Sequence, residues 1–359
     1  MVPALVASLL LASTLDVPPG ADLAAVVGRA RPGDVVRVAA GRHFAALGSL
    51  RGVRVEGAGA GLTVIEAPEG VDGAWASGGE VSLAGLTLRA GPERCALVVR
   101  GGTAVLDDVG LTGGACGVRV DAGTLHGKGL SLHGRTALVV AGGDASLSDG
   151  DGRGDRAAVL VHGGALSLER FTLSAGRAAE AALVAAGGRT RLSLVIVFAP
   201  GDVGVSASSG AEVEGDELTV VGAGVQEDEI PGACLLARKA TIRLSGGMLA
   251  RCGGAALQAL GGSVRLTGVD ASGGVSGCLH FLGGARAELA GNACGGRGPG
   301  VLATGGAQVA ARKNLWWTDP LRVVDCASGA RMTLGPGERG PVPCTGAKPA
   351  TPLDKRPLK

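Results

Sequence analysis

Four side chains that can take part in proton transfer lie at related positions along the chain: Arg100, the pair Arg119 and Asp121 about 20 residues later, and His162 about 40 residues after that. A carboxylate beside an arginine or a histidine is the kind of pair that transfers protons in a lyase or a hydrolase. We therefore take these four as the candidate catalytic residues. The same residues also fit a plain ion-paired surface, and the pattern favours that interpretation.

A short acidic segment precedes His162. In it Asp149, Asp151 and Asp155 alternate with glycine and arginine. Carboxylate oxygens are the ligands that Ca²⁺ prefers, so these three residues form a candidate calcium site. The segment is not an EF-hand, because Leu160 stands where that loop needs its twelfth-position glutamate. A solvated acidic loop is the favoured alternative, and calcium is the one cofactor that the sequence suggests.

These side chains must be positioned by a repeating unit, because a small-residue turn recurs about every 22 residues. Self-similarity at a period of 20–50 residues is typical of solenoids and propellers. The clearest turns are Gly-Gly pairs, at Gly78-Gly79, Gly101-Gly102, Gly142-Gly143, Gly163-Gly164, Gly187-Gly188, Gly261-Gly262, Gly283-Gly284 and Gly305-Gly306.

Each repeat contains three short runs rich in valine and leucine, with period-two alternation that indicates β-strands. Three short strands form no stable unit alone, but stacking successive repeats pairs each strand with its equivalent and buries a continuous interior. The third run should supply two apolar inward columns. The first is Leu97, Val118, Leu138, Val159, Leu183, Val205, Leu235, Leu257, Leu279, Val301; the second is Val99, Val120, Val140, Val161, Ala185, Ala207, Ala237, Ala259, Phe281, Ala303.

The eight cysteines pair up at separations of about one repeat, as Cys95/Cys116, Cys234/Cys252, Cys278/Cys294 and Cys326/Cys344. Stacking should bring Cys95 and Cys116 within disulfide range, because both lie just before a third strand. We predict four coil-to-coil disulfides and an oxidising compartment. Zinc would require Cys-x-x-Cys clusters, which the chain lacks, and buried free thiols are the remaining alternative.

Several motifs resemble the right-handed parallel β-helix of the pectin-lyase-like superfamily. The opening Arg31-Pro32-Gly33-Asp34-Val35-Val36-Arg37-Val38 follows a predicted capping helix over residues 22–27, and Gly57–Ile65 and Asn314–Pro320 resemble two further elements of such proteins. The resemblance implies an all-β fold, a single right-handed solenoid of about 12–14 coils. It also places any site on the outer face of the third strand, where the four candidate catalytic residues fall.

Composition and the two ends of the chain limit the other possibilities. Net charge is +2, aromatic content is 2% and there is no tyrosine, which argues against a nucleic-acid partner. Residues 1–15 fit a signal peptide and are too short to span a bilayer, so no integral membrane segment is expected after cleavage. We assign residues 16–345 to the β-helix and residues 346–359 to a disordered, basic, proline-rich tail.

Two functions remain open. The first is a secreted, periplasmic or cell-surface β-helix that acts as a non-catalytic structural, adhesive or glycan-binding module, with an extracellular polysaccharide or a cell-surface component as its partner. The sparsely polar outer face of the third strand favours it. The alternative is a polysaccharide lyase or hydrolase acting on acidic glycans. Fold resemblance alone does not decide whether the protein is an enzyme.

Overall fold

The computed structural model describes residues 12–199, 201–223, 232–274, 276–317, 324–326 and 329–335, with the backbone alone described for 324–326. It is an all-β parallel solenoid of about 14 turns with one short helix, which confirms the predicted fold class. The chain divides into two compact units, residues 1–134 with 143–147 and residues 135–142 with 148–359. In the described part of the chain no helix is long and apolar enough to cross a membrane.

The first unit contains the helix and ten strands. In chain order these are β1 (Thr14–Val17), α1 (Leu23–Arg29), β2 (Val35–Val38), β3 (Gly41–Phe44), β4 (Gly48–Leu50), β5 (Arg54–Glu56), β6 (Thr63–Glu66), β7 (Ala74–Arg89), β8 (Cys95–Thr112), β9 (Cys116–Val120) and β10 (Thr124–Lys128). Two further strands, β11 (Ser131–Val140) and β12 (Asp144–Val161), supply residues to both units.

The second unit continues the repeat. Its strands are β13 (Ala165–Ala175), β14 (Ala181–Ala185), β15 (Arg189–Ser193), β16 (Ile196–Phe198), β17 (Val203–Ser208), β18 (Glu212–Val221), β19 (Leu235–Ala250), β20 (Ala255–Thr267), β21 (Asp270–Ser272), β22 (Gly277–Leu282), β23 (Arg286–Ala290), β24 (Ala293–Gly295), β25 (Val301–Ala303), β26 (Gln308–Arg312), β27 (Leu315–Trp317), β28 (Val324–Cys326) and β29 (Arg331–Leu334).

Every rung has three strand positions, as the sequence predicts. We call the positions first, second and third, beginning after each glycine-rich turn. The long strand β7 shows all three, because it pairs in parallel with β4 at the third position, then with β5 at the first and β6 at the second. In the second unit β15, β18, β23 and β26 lie at the first position, and β14, β17, β22 and β25 lie at the third.

The third strand forms the core that the sequence predicts. Every residue of the two predicted inward columns is at most 1% exposed. In the second unit the register is unbroken, because Leu183 pairs with Val205, which pairs with Leu235, and so on along the stack. Burial of such apolar columns contributes about 25 cal/mol for each Å² removed from water and is the main force that holds the rungs together.

Glycine shapes the corner between the third strand and the next first strand. Gly164, Gly188 and Gly210 there have φ of +71°, +69° and +80°, a conformation that L-residues rarely adopt. A Cβ on Gly188 would lie 2.4 Å from the carbonyl oxygen of Gly164 on the preceding rung. The close approach of rungs and the left-handed backbone together explain why glycine recurs here.

The opposite corner, between the first and second strands, is built differently. Residues with positive φ recur at this corner, and they are often not glycine, as at Leu194 (53°) and Glu217 (52°). The two asparagines of the chain lie at this corner and form a buried ladder. Asn292 Nδ2 donates to Asn314 Oδ1 at 2.9 Å, and Val269 N–H donates to Asn292 Oδ1.

The capping helix is confirmed as α1. The carboxylate of Asp22 accepts a hydrogen bond from the Ala25 N–H at 3.0 Å and so satisfies one of the unpaired donors of the first turn. At the chain ends the predicted boundaries stay predictions. Thr14 and Leu15 already pair with Val35 and Val36 in the sheet, while residues 346–359 lie outside the described residues.

Candidate functional site

Three of the four candidate catalytic residues lie in the first unit, on the outer face of the third strand. Arg119 Nε donates to Asp121 Oδ1 at 2.6 Å, and both side chains are partly exposed. The guanidinium of Arg100 lies over the Trp75 ring, 5.2 Å from its centroid, which is a cation–π contact. The arrangement resembles the ion-paired surface that the sequence favours.

His162 belongs to the second unit, where it follows β12 and is exposed. Its backbone N–H donates to the Val140 carbonyl at 2.8 Å, a rung-to-rung hydrogen bond. Convergence of His162 with Arg100, Arg119 and Asp121 remains a prediction.

The predicted acidic loop is a strand. Residues 149–155 run within β12, with Asp151 and Asp155 exposed and Gly152 and Gly154 facing inward. The Asp149 carboxylate forms an ion pair with Arg170, whose Nε lies 2.6 Å from Oδ1. Across the described residues no three His, Cys, Asp or Glu side chains are grouped so as to hold a metal ion. A calcium site formed by Asp149, Asp151 and Asp155 stays a prediction.

Three of the four predicted disulfides are formed. Cys95–Cys116, Cys234–Cys252 and Cys278–Cys294 join adjacent rungs, with Cα–Cα distances of 4.4, 5.3 and 6.2 Å. The fourth pair, Cys326–Cys344, involves Cys344, which lies outside the described residues. Disulfides are typical of proteins from oxidising compartments, as predicted.

Concavities of the second unit lie at a different place, on the outer face of the first strand. Three adjoining cavities of about 510, 580 and 420 Å³ follow one another across successive rungs there and share lining residues. We call this surface the arginine groove. Its cations are Arg191, Arg243, Arg265, Arg286, Arg312 and Arg331.

Strand alternation places these arginines in the groove. In β26 the side chains of Gln308, Ala310 and Arg312 are exposed while Val309 and Ala311 are buried. The same alternation in β23 turns Arg286 and Glu288 outward. Because the inward positions are fixed by the core, the outward positions of every rung are held in line along the groove.

Carboxylates in the groove balance part of its charge. Glu214 lies between two arginines, with its oxygens 3.1 Å from Arg191 Nε and 3.2 Å from Arg243 Nη1. Arg265 Nε donates to Glu288 Oε2 at 2.8 Å. These exposed pairs hold side chains in place more than they stabilise the fold, since such pairs contribute about 0–1 kcal/mol.

The other end of the groove has an excess of positive charge. Arg286, Arg312 and Arg331 form no ion pair with any described residue, and all three are exposed. The small side chain of Ala310 lies among them and leaves room above the sheet. Guanidinium groups are fixed, always charged donors that match carboxylates and sulfates, so this end can bind an anionic ligand.

A cavity in the first unit offers a contrast. It has a volume of about 540 Å³ and its charged lining residues are Asp16, Arg37 and Glu56. Arg37 Nε lies 3.4 Å from Glu56 Oε2. Its one cation is therefore outnumbered by carboxylates, which makes this cavity a poorer anion site than the arginine groove.

One buried histidine lies on the third strand of the second unit. His280 is 8% exposed, and its Nε2 lies 2.5 Å from the Ser276 carbonyl oxygen. Burial lowers the pKa of His280 below its usual value, because the charged imidazole loses hydration, and the hydrogen bond to Ser276 offsets this effect only in part. The outward side of the third strand is thus partly covered, which the sequence does not indicate.

The sequence predicts a site on the third strand and not the arginine groove on the first strand. The pattern of charged residues on the first strand nevertheless indicates this groove. The outward positions of successive first strands carry arginine or glutamate, as in Arg189, Arg191, Glu212, Glu214, Arg243, Arg265, Arg286 and Glu288. Reading the first strand by the same inward–outward alternation as the third would have revealed this charged face.

No protein-family model matches the chain, and no curated protein matches its sequence. Among solved structures it is similar to the Agl-KA catalytic domain, with a TM-score of 0.50, 13% identity, and coverage of 93% of this chain and 70% of that one.

Two weaker likenesses are to the A-module of the mannuronan C-5 epimerase AlgE6 of Azotobacter vinelandii and to a mannuronic acid specific polysaccharide family 6 lyase from human gut microbiota. The epimerase module has a TM-score of 0.42 and 15% identity, over 83% of this chain and 81% of that one. The lyase has a TM-score of 0.34 and 11% identity, over 90% and 91%. Likeness at these identities concerns the fold alone, and the fold of this chain is a parallel β-solenoid.

Proposed function

We propose that the protein binds an acidic polysaccharide along the arginine groove. The observation that carries this proposal is the charge of the groove's largest cavity, whose lining contains four arginines and one glutamate, in a molecule with a net charge of only +2. The four arginines and one glutamate of this lining give the cavity a local formal charge of +3.

The shape of the groove favours a chain-like ligand. The three cavities cross successive rungs from Ser167 to Gly335, so a linear polymer can contact several rungs at once. Serine, threonine and glutamine side chains lie between the arginines and can bond sugar hydroxyls. The residues lining these cavities include no aromatic ring, so base stacking would have no platform, and a nucleic acid fits less well.

Isothermal titration calorimetry tests this function. Polygalacturonate, alginate and hyaluronan serve as acidic probes and dextran as the neutral one. We expect binding of at least one acidic polymer, weakened by salt because exposed charges are screened, and no binding of dextran.

A paired substitution locates the binding surface. Arg265→Gln with Arg286→Gln should weaken binding strongly, whereas Arg238→Gln, at an exposed arginine on a third strand, should change it little. Equal binding of dextran, or an equal loss in the Arg238 control, would contradict the proposal.

Turnover of the bound glycan is a second candidate, favoured by Glu214 and Asp216. Both line the same cavity and lie two residues apart on β18. In an extended strand, residues two apart face the same side with Cα atoms about 6.6 Å apart, and a pair of carboxyl groups is what most glycosidases use. The similar structure with a TM-score of 0.50 is the catalytic domain of Agl-KA. New reducing ends in the presence of protein, lost in Asp216→Asn, would support turnover.

The third-strand residues stay an alternative site for the same chemistry. An assay for unsaturated uronate products, with and without calcium, tests Arg100, Arg119, Asp121 and His162 together with the predicted calcium ligands Asp149, Asp151 and Asp155. Activity that requires calcium and disappears in Asp121→Ala would place the reaction there rather than in the groove.

The location of the protein belongs to the same proposal. Three disulfides between adjacent rungs support a secreted, periplasmic or cell-surface protein. N-terminal sequencing of the exported protein checks it, and a mature chain that begins within residues 13–16 would confirm the predicted signal peptide.

A further inference from the structure

Two of the three arginines at the positively charged end of the arginine groove lie two rungs apart in one column. Arg286 pairs in register with Gln308, and Gln308 pairs with Arg331. The three residues therefore form one outward column on β23, β26 and β29, with a neutral amide between two guanidinium groups.

This interval follows from the geometry of the solenoid. Strands on adjacent rungs lie about 4.8 Å apart, so the backbone positions of Arg286 and Arg331 are about 9.6 Å apart. Both arginines are exposed, and neither forms an ion pair with a described residue. By contrast, Arg243 and Arg265 are already paired with Glu214 and Glu288.

We propose that the groove recognises a glycan that presents one anionic group to the protein at every second sugar. This inference rests on the proposed function. A sugar residue in an extended chain spans about one rung, so anionic groups on alternate sugars meet Arg286 and Arg331 in turn. The amide of Gln308 both donates and accepts hydrogen bonds, which suits the hydroxyl groups of the sugar between them.

Two kinds of polymer present charge in this way. In one, an acidic sugar alternates with a neutral sugar, as in hyaluronan. In the other, every sugar is acidic but alternate sugars are turned over, so that every second carboxylate faces the sheet, as in an extended polymannuronate. Both polymers present an anionic group to the column at every second sugar, and binding measured separately with each polymer distinguishes them.

A variant that conserves charge tests the interval. Gln308→Arg combined with Arg331→Gln keeps the net charge but places the two guanidinium groups on adjacent rungs. We expect this shifted variant to bind hyaluronan and polymannuronate oligosaccharides about tenfold more weakly than the wild type, the loss of one charge-assisted contact. Arg286→Gln alone should cause a loss of about the same size. Circular dichroism melting checks that each variant is folded.

The outcomes are distinct. Loss of affinity in the folded, shifted variant supports the interval, and the polymer that binds the wild type more tightly identifies the source of the alternation. If the shifted variant binds as tightly as the wild type, the interval is wrong although acidic glycan binding stands. If the wild type binds no acidic polymer at all, the proposed function itself has failed.

Discussion

Glu214 limits the positive charge of the arginine groove, because its single carboxylate pairs with both Arg191 and Arg243. We expect Glu214→Gln to strengthen binding of an acidic glycan about threefold, since both guanidinium groups become available to the ligand. Titration calorimetry with the best acidic probe measures it. Glu212→Gln is the matched control on the same strand, because Glu212 pairs with Arg189, which lines none of the three cavities.

The same variant separates binding from turnover. If Glu214 takes part in catalysis, Glu214→Gln should bind more tightly and yet release fewer reducing ends. Unchanged or weaker binding in Glu214→Gln would show that Arg191 and Arg243 do not contact the ligand.

His280 should make stability depend on pH. Burial lowers its pKa in the folded protein below 6.5, so between that pKa and 6.5 the unfolded chain binds more protons. The free energy of unfolding should therefore fall as the pH drops below about 6.5, and this loss should be complete once the pH is below the folded pKa. Melting temperatures measured from pH 7.5 to 5 should decline less in His280→Leu. An equal decline in wild type and variant would assign the effect to other groups.

At the residue scale, the sequence gives side-chain types but not their surroundings. Arg119 and Asp121 lie on the predicted face, yet they neutralise each other, and Arg100 rests on Trp75. The excess charge of Arg286 and Arg331 becomes visible only when the register shows which carboxylates lie beside them. Ion pairing between rungs depends on such non-local neighbours.

At the scale of the elements, the corner at Gly188 requires glycine for two reasons, its positive φ and the close approach of the preceding rung. Gly188→Ala should lower the free energy of unfolding by about 2–3 kcal/mol, because a Cβ in left-handed backbone is strained and would also meet the Gly164 carbonyl oxygen at 2.4 Å. Urea denaturation measures the change.

Gly210→Ala is the matched control for this corner. Gly210 also has positive φ, but a Cβ there would have no heavy atom within 4 Å, so we expect a cost of about 1 kcal/mol. Equal losses in the two variants would mean that contact between rungs adds nothing at this corner.

The elements also show where local sequence signals mislead. The glycines of residues 149–155 indicate a loop, but β12 continues because Gly152 faces inward, where a Cβ would lie 3.3 Å from Leu173 Cδ2 and 3.6 Å from Phe171 Cε1. Glycine at that position makes room for a large neighbour on another rung. The inward columns were predictable because valine and leucine repeat strictly. A small residue that makes room for a large side chain on another rung, as Gly152 does, cannot be recognised from one repeat alone.

For the whole molecule, the disulfides are expected to stabilise the stack appreciably. Replacing Cys278 and Cys294 by serine opens a covalent loop of about 16 residues, and we expect a loss of about 3 kcal/mol in the free energy of unfolding. Urea denaturation of the variant under non-reducing conditions measures it.

Peptide mapping without reduction provides the control for that measurement. It should show the three described pairs and also tests the predicted Cys326–Cys344 bridge. Any other pairing would contradict the stacking register from which the bridges were predicted.

For the whole molecule, the sequence establishes the solenoid but not the location of its working surface. A period of about 22 residues, two apolar columns and an even set of cysteines specify a parallel β-helix, because each records a contact between equivalent positions. The charged residues of the groove repeat less strictly, because the outward columns of the first strand also contain Thr241, Ser263 and Gln308. The arginine groove arises from single outward residues on different rungs, and only the assembled stack brings Arg243, Arg286 and Arg331 onto one surface.

A crystal structure of the protein with a bound acidic oligosaccharide tests the central claim most directly. We predict that the sugar chain crosses the rungs of the arginine groove in the second unit, with anionic groups within hydrogen-bond distance of Arg286 and Arg331. An oligosaccharide found instead beside Arg100, Arg119 and Trp75, or away from every groove arginine, would contradict the account.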